Sequence, residues 1–167
     1  MRFPKIGEIV LDSYVVSAMD SAWNLNKNAV DAQGFHEFGF MIYLNTLEDQ
    51  YEIGSITPSP KFAWGDQDTG VLVLHDKYSD PASPVPTESG VLYSVACFHT
   101  HPPMTDAPAG YWRIVGPSGG DFTLHLSADT PGVVRDYIGV DHVLLPGHAK
   151  DGPEKLYHPI GPYQRGL

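Results

Sequence analysis

His99 and His101 stand at the end of a run of apolar residues, Val91-Leu-Tyr-Ser-Val-Ala-Cys-Phe98, and are followed at once by Pro102 and Pro103. The run reads as a buried strand. Residues two apart in a strand point to the same side of a sheet, so both imidazoles share one face. Proline has no amide donor and stops the ladder there, leaving the pair at an open strand end. Two imidazoles in that position can grip one cation and accept a third ligand from elsewhere. The stretch Ser118-Gly-Gly-Asp121 is the candidate to bring it, with Asp121 as the ligand. Two histidines and one carboxylate hold zinc with a fourth position left for water. Bound water of this kind has its pKa lowered to about 7 and serves as a nucleophile at neutral pH. Hydrolysis of amides or esters then needs a carboxylate to carry protons, and Glu37 is that candidate. Ser118 offers a hydroxyl to a developing oxyanion. Zinc is accordingly the expected cofactor.

Each of these residues has a plainer reading. Ser118 and Asp121 also suit a helix N-terminus, where either satisfies free amides. A salt bridge to a surface lysine is the lesser alternative for Glu37, and His36 is its rival if the strand register shifts by one. Glu37 lies in the apolar block Phe35–Leu44, where an acid needs a partner or a task. His125, one turn past Asp121, is expected to be core-packed or solvated. His142 is expected to be structural within a strand, and Cys97 to be a small core residue.

The elements that must position these groups follow from hydrophobic periodicity. A short strand is expected at Glu8–Leu11. A helix is expected from Ser13 to about Ala32, capped by Ser13 or Ser17, with Val16, Met19, Trp23, Leu25 or Asn26, and Val30 on one face and a stop at Gln33-Gly34. Phe35–Leu44 reads as a strand buried on both faces, with Tyr51–Ile56 returning beside it as a hairpin. Residues 57–90 and 102–117 read as long loops, the first enclosing a short strand at Gly70–Leu74. Tyr111 and Trp112 in the second are either a lid or surface packing. A short helix is expected from Gly119 or Gly120 to before Pro131, then strands at Tyr137–Leu145 and Glu154–His158, and an irregular tail over 159–167. Helix, strands, helix, strands imply a mixed α/β (α+β) domain spanning 1–167.

The 167 residues are enough for one domain with a real core. A net charge of −10 argues against nucleic acid or an anionic membrane as the main partner. A single cysteine excludes an internal disulfide, and excludes the zinc deaminases, which need cysteine pairs. The first residues lack the apolar core of a signal peptide, and no apolar run approaches the roughly 20 residues of a spanning helix. A soluble protein is expected, cytoplasmic or exported without an N-terminal signal peptide.

Glu37-Phe-Gly39 opening an apolar strand, His99-Thr-His101-Pro102 and Ser118-Gly-Gly-Asp121 together resemble the JAMM (MPN/JAB) metalloprotease domain, in its bacterial JAB-like branch. The likeness covers roughly residues 15–145, and its three motifs carry it. It implies a cytidine-deaminase-like, MPN-type fold: a curved mixed sheet flanked by helices. It also implies one zinc on His99, His101 and Asp121, Glu37 as general base, Ser118 steadying the tetrahedral intermediate, and cleavage of peptide or isopeptide bonds. The implied partner is a protein or peptide substrate, ubiquitin-like or a bacterial target, in the setting of a secreted effector or of a peptidase that trims modifiers. The loop between His101 and Ser118 is longer than the family's usual spacing, which leaves the substrate class open. Two other readings are a zinc hydrolase of another bond type and an MPN-like scaffold that binds without catalysis. Scaffold members lose ligands or the glutamate, and all five positions are filled here.

Overall fold

A computed structural model describes residues 3–65, 74, 85–87, 90–128 and 130–161. In chain order the elements are α1 (Ile6–Ile9), α2 (Ser13–Asn28), β1 (Val30–Asp31), β2 (Gly34–Phe35), β3 (Phe38–Asn45), β4 (Gln50–Ile53), β5 (Thr57–Pro58) and β6 (Phe62–Ala63). There follow β7 (Val85–Thr87), β8 (Gly90–Thr100), β9 (Arg113–Ile114), α3 (Gly119–Ala128), β10 (Gly132–Tyr137), β11 (Val143–Leu144) and β12 (Glu154–Ile160). The main sheet runs β12-β10-β8-β3-β4, with β5 added to β3 and β7 to β8. Only the β8–β10 pair is parallel; the rest of this sheet is antiparallel. Two small sheets, β1-β2-β6 and β9-β11, complete a mixed α/β domain of open sheets and flanking helices.

β3 and β8 form the centre because their sequences leave nothing for water. Every residue of β3 is buried, as expected for a strand covered on both faces. Phe40 and Phe98 stack across the pair with ring centroids 5.1 Å apart. Burial of such a side chain is worth about 1.5–3 kcal/mol. On this face Ile42, Ala96, Phe98 and Val133 pack against Val15, Met19 and Ala22 of α2 and Ile6 and Ile9 of α1. A bulge after Ile42 sets Val95 beside Ala96 in the same core. The opposite face carries Met41, Tyr43, Leu92 and Cys97, and it is the face on which the histidines project.

Several expectations are corrected by burial and capping. Glu8–Leu11 is not a strand. Ile6, Ile9 and Val10 are buried at helical spacing, and Glu8 closes the turn by accepting the Lys5 amide at 2.7 Å. The long helix is capped by Asp12 rather than by Ser13 or Ser17: the Asp12 carboxylate accepts the amides of Tyr14 and Val15 at 2.9 and 3.1 Å. Val15 and Asn26, not Val16 and Leu25, hold its buried stripe. It ends at Asn28 because Asp31 folds the chain back, accepting the amides of Gln33 and Gly34. Gly34 is required there, since a Cβ would sit 1.9 Å from the Phe62 carbonyl oxygen.

Tyr137–Leu145 is not one strand. The ladder is Gly132–Tyr137, and the chain then turns through Asp141 and His142, both at positive φ, into β11. His142 is exposed in that turn rather than structural in a strand. The strand expected at Glu154–His158 extends to Ile160, so the tail begins later than residue 159. The loop of 102–117 holds β9, and the 57–90 segment holds β5, β6 and β7. Of the strand expected at Gly70–Leu74 only Leu74 lies within the described residues, partly buried against the cluster of Met41, Tyr43, Leu92 and Cys97. No described helix is long and apolar enough to cross a membrane.

Asp12→Ala is expected to cost about 1 kcal/mol, the usual worth of such a cap. A lower urea midpoint at unchanged slope would register it. The helix matters to the site because it supplies Asn26.

Candidate metal centre

Strand register places the site residues side by side. Gly39 of β3 lies opposite His99 of β8, and Val134 of β10 lies on its other side. Two residues further along the same face, just past the end of β8, stands His101. Glu37, just before β3, meets it from one flank, and Asp136 of β10 meets it from the other. The Phe38 amide donates to Thr100 Oγ1 at 3.0 Å and the His101 amide to the Arg135 carbonyl at 3.0 Å, which holds both flanks in this register.

The third group arrives on α3. The Ser118 hydroxyl accepts the Asp121 amide at 3.2 Å while the Asp121 carboxylate accepts the Ser118 amide at 2.6 Å. This reciprocal pair is a capping box built with aspartate, so the helix-cap reading of Ser118 and Asp121 holds. The same carboxylate reaches the two rings: Oδ1 lies 3.1 Å from His99 Nε2 and Oδ2 lies 3.5 Å from His101 Nε2. Ligand atoms of His99, His101 and Asp121 all fall within 4.8 Å of one another. Zinc–ligand bonds of about 2.0–2.1 Å at tetrahedral angles require ligand atoms roughly 3.3 Å apart. Asp121 sets one oxygen at about that spacing from each ring, and imidazole and carboxylate are donors zinc accepts. The residues fit a zinc ion, and another divalent ion of similar taste would also suit the set.

Asp136 is buried outright. Its Oδ2 faces His101 Nδ1 at 3.1 Å. Arg113 binds it with both terminal nitrogens, Nη1 to Oδ2 at 2.8 Å and Nη2 to Oδ1 at 2.6 Å. The amides of Gly116 and Tyr137 add two bonds of 2.7 Å each. Burial pushes the Asp136 carboxyl up, but Arg113 and His101 outweigh it and hold the group well below the usual carboxylate range. The His101 carbonyl accepts from Asn26 Nδ2 of α2 at 2.9 Å.

Glu37 is partly buried and feels the charges of His101, His99 and Asp121. Burial pushes its carboxyl above the ordinary value, and the two histidines pull only part of the way back. Its amide donates to Ser59 Oγ at 2.9 Å, and its carbonyl accepts the Ser59 amide at 2.7 Å. His36 is not a rival, because its Nδ1 is engaged with the Ser59 carbonyl at 2.8 Å. For Asp121, burial raises the carboxyl, and the hydrogen bonds of His101 and His99 overcome that and lower it. Burial lowers His101, but Asp121, Asp136 and the charge of Glu37 push it up to about 10.

His125 is core-packed, as expected, and borders the site. Its ring stacks on His99 with centroids 6.4 Å apart, and its Nδ1 lies 3.4 Å from Cys97 Sγ and 3.2 Å from the Thr130 carbonyl. Gly132 makes room for it, since a Cβ there would lie 2.2 Å from His125 Nε2. Burial pushes the Cys97 thiol up to about 12, an inert core residue. Tyr111 is not a lid: it packs on Trp64 at 5.2 Å beside Trp23, Met104, Tyr137 and Leu144.

Asp136, Arg113 and Asn26 were not legible as site residues. Asp136 gives the same signal as Glu37, an acid within an apolar run, but the strand was expected to begin only at Tyr137. Comparison with protein families, with curated proteins and with solved structures finds no match to the chain.

Proposed function

We propose that the protein is a zinc-dependent hydrolase of peptide or isopeptide bonds, of the JAMM kind, on an MPN-type sheet. One observation carries the reading. His99, His101 and Asp121 bring ligand atoms together within 4.8 Å, and the partly buried Glu37 is set beside them by strand register. Zinc, when bound there, supplies a Lewis acid and makes water acidic near neutral pH.

The chain's own residues supply the rest. Glu37, held by Ser59 and raised by burial, takes a proton from the attacking water and passes it to the leaving amine nitrogen. The Ser118 oxygen accepts the Asp121 amide, so its hydroxyl proton is directed elsewhere, suited to the oxygen on which charge develops. Asp121 is fixed at a helix start, and His101 is held on both sides of its ring. The four groups therefore need little rearrangement for reaction.

The test is elemental analysis of protein purified without chelator, followed by a panel of unstructured peptides and isopeptide-linked ubiquitin-like conjugates. One zinc per chain and chelator-sensitive cleavage support the reading. Protein that takes up no zinc on titration and cleaves nothing sinks it.

A further inference from the structure

We infer that Arg113 and Asp136 are positioning residues that aim the His101 ring, so that the loop of residues 102–117 governs zinc affinity through one buried ion pair. The inference rests on the metal-site reading above and assigns the site residues that neither motif nor spacing marks.

Asp136 is fully buried, and a buried carboxylate must be compensated. Four donors already do so: two Arg113 nitrogens and the amides of Gly116 and Tyr137. Oδ1 receives Arg113 Nη2 and the Tyr137 amide. Oδ2 receives Arg113 Nη1 and the Gly116 amide. The contact with His101 is therefore not needed to satisfy Asp136. Its consequence falls on the histidine. A carboxylate fixed by four bonds accepts the Nδ1–H of His101 at 3.1 Å and so aims Nε2 at Asp121 and the ligand cluster.

Arg113 also fixes the backbone beside the ligand. Its Nη2 donates to the Pro102 carbonyl at 2.7 Å, one residue after His101. The planar fork thus joins the chain just past β8 to the far end of β10, a task for which lysine has the charge but not the geometry. The β9–β11 ribbon delivers it. Arg113 pairs with Leu144, which is buried, so this row faces inward. The alternate row faces out: Trp112, Ile114 and Leu145 are 56%, 66% and 57% exposed. Gly116, at φ 89°, brings its amide to Asp136 where a Cβ would crowd the Tyr157 ring at 3.1 Å. The loop is longer than the His–Ser spacing of the family it resembles, and this clamp gives the extra length a purpose.

The experiment compares wild type with Asp136→Asn, Arg113→Lys and Arg113→Ala. Two readouts are used: zinc titration against a competing chelator, and the hydrogen-bonded ring N–H of His101 in 15N-labelled protein with and without zinc. The expected result is a loss of zinc affinity of roughly 10–100-fold for Asp136→Asn and Arg113→Ala, the usual cost of losing a partner behind a ligand. Arg113→Lys should recover part of it. The signal of the His101 Nδ1–H, bonded to Asp136, should weaken in all three. A pair that only secures the loop would lower thermal stability while leaving zinc affinity and that ring proton as in wild type, and this result would overturn the inference. If Asp136→Asn fails to fold, Arg113→Lys alone decides, because it retains the charge and loses only the fork. If wild type binds no zinc yet the ring proton is lost in the variants, the metal reading fails and the positioning role stands.

Discussion

Glu37→Gln is expected to abolish hydrolysis while one zinc stays bound. Glutamine keeps the shape and the backbone anchors to Ser59 but cannot take up a proton. General acid–base assistance is worth roughly 10²–10⁴-fold, so the turnover rate should fall by at least that factor. Zinc content should match wild type, because Glu37 is not among the clustered ligands. The same variant has a second signature in the zinc-free protein. Burial raises the Glu37 carboxyl above its ordinary value in the folded state. A raised carboxyl favours folding while protonated, so its contribution is complete below the unfolded value and lost as pH rises through the folded one. Near neutral pH the wild-type chain bears that loss and glutamine does not. Zinc-free Glu37→Gln should melt at the same temperature as wild type or higher. A variant that hydrolyses substrate at the wild-type rate would remove Glu37 from the chemistry.

His101→Ala is expected to cost the zinc itself. The ring supplies Nε2 beside Asp121 and joins Asp121 to Asp136 across the site. Zinc affinity should drop by more than the roughly 10–100-fold that losing an outer partner costs. Hydrolysis should vanish with it. The fold should survive in part, because Arg113 and two amides still hold Asp136. Equilibrium dialysis with zinc and near-ultraviolet circular dichroism separate the two effects. Full zinc occupancy in this variant would show that the ion, if any, is held elsewhere.

Much of the candidate site was readable because its residues are local in sequence. His99 and His101 share a face through the two-residue repeat of a strand. Ser118 and Asp121 sit three apart, the spacing of a helix cap, and the structure gives them both that cap and an approach to the two rings. Glu37 betrayed itself as an acid in an apolar run. Asp136 carries the same mark, but nothing local shows that Gly132–Tyr137 is a strand. Its register is set by parallel pairing with a strand more than thirty residues earlier, as the Val134–His99 pair shows. Arg113 had no local mark at all, since its role depends on a two-residue ribbon closed by residues 143–144.

Sequence alone determined which segments must be buried, where the central strand ends, and which side chains stand at that end. These follow from solvent aversion, from the missing amide of Pro102 and from the periods of strand and helix. Tertiary structure decided which neighbours flank that end: Glu37 from the residue before β3, Asp136 from β10, Asn26 from α2, Arg113 from the ribbon. Each is brought there by pairing between distant strands or packing of a helix on a sheet. No local preference encodes such contacts, because their free energy is gained only when the whole sheet has closed.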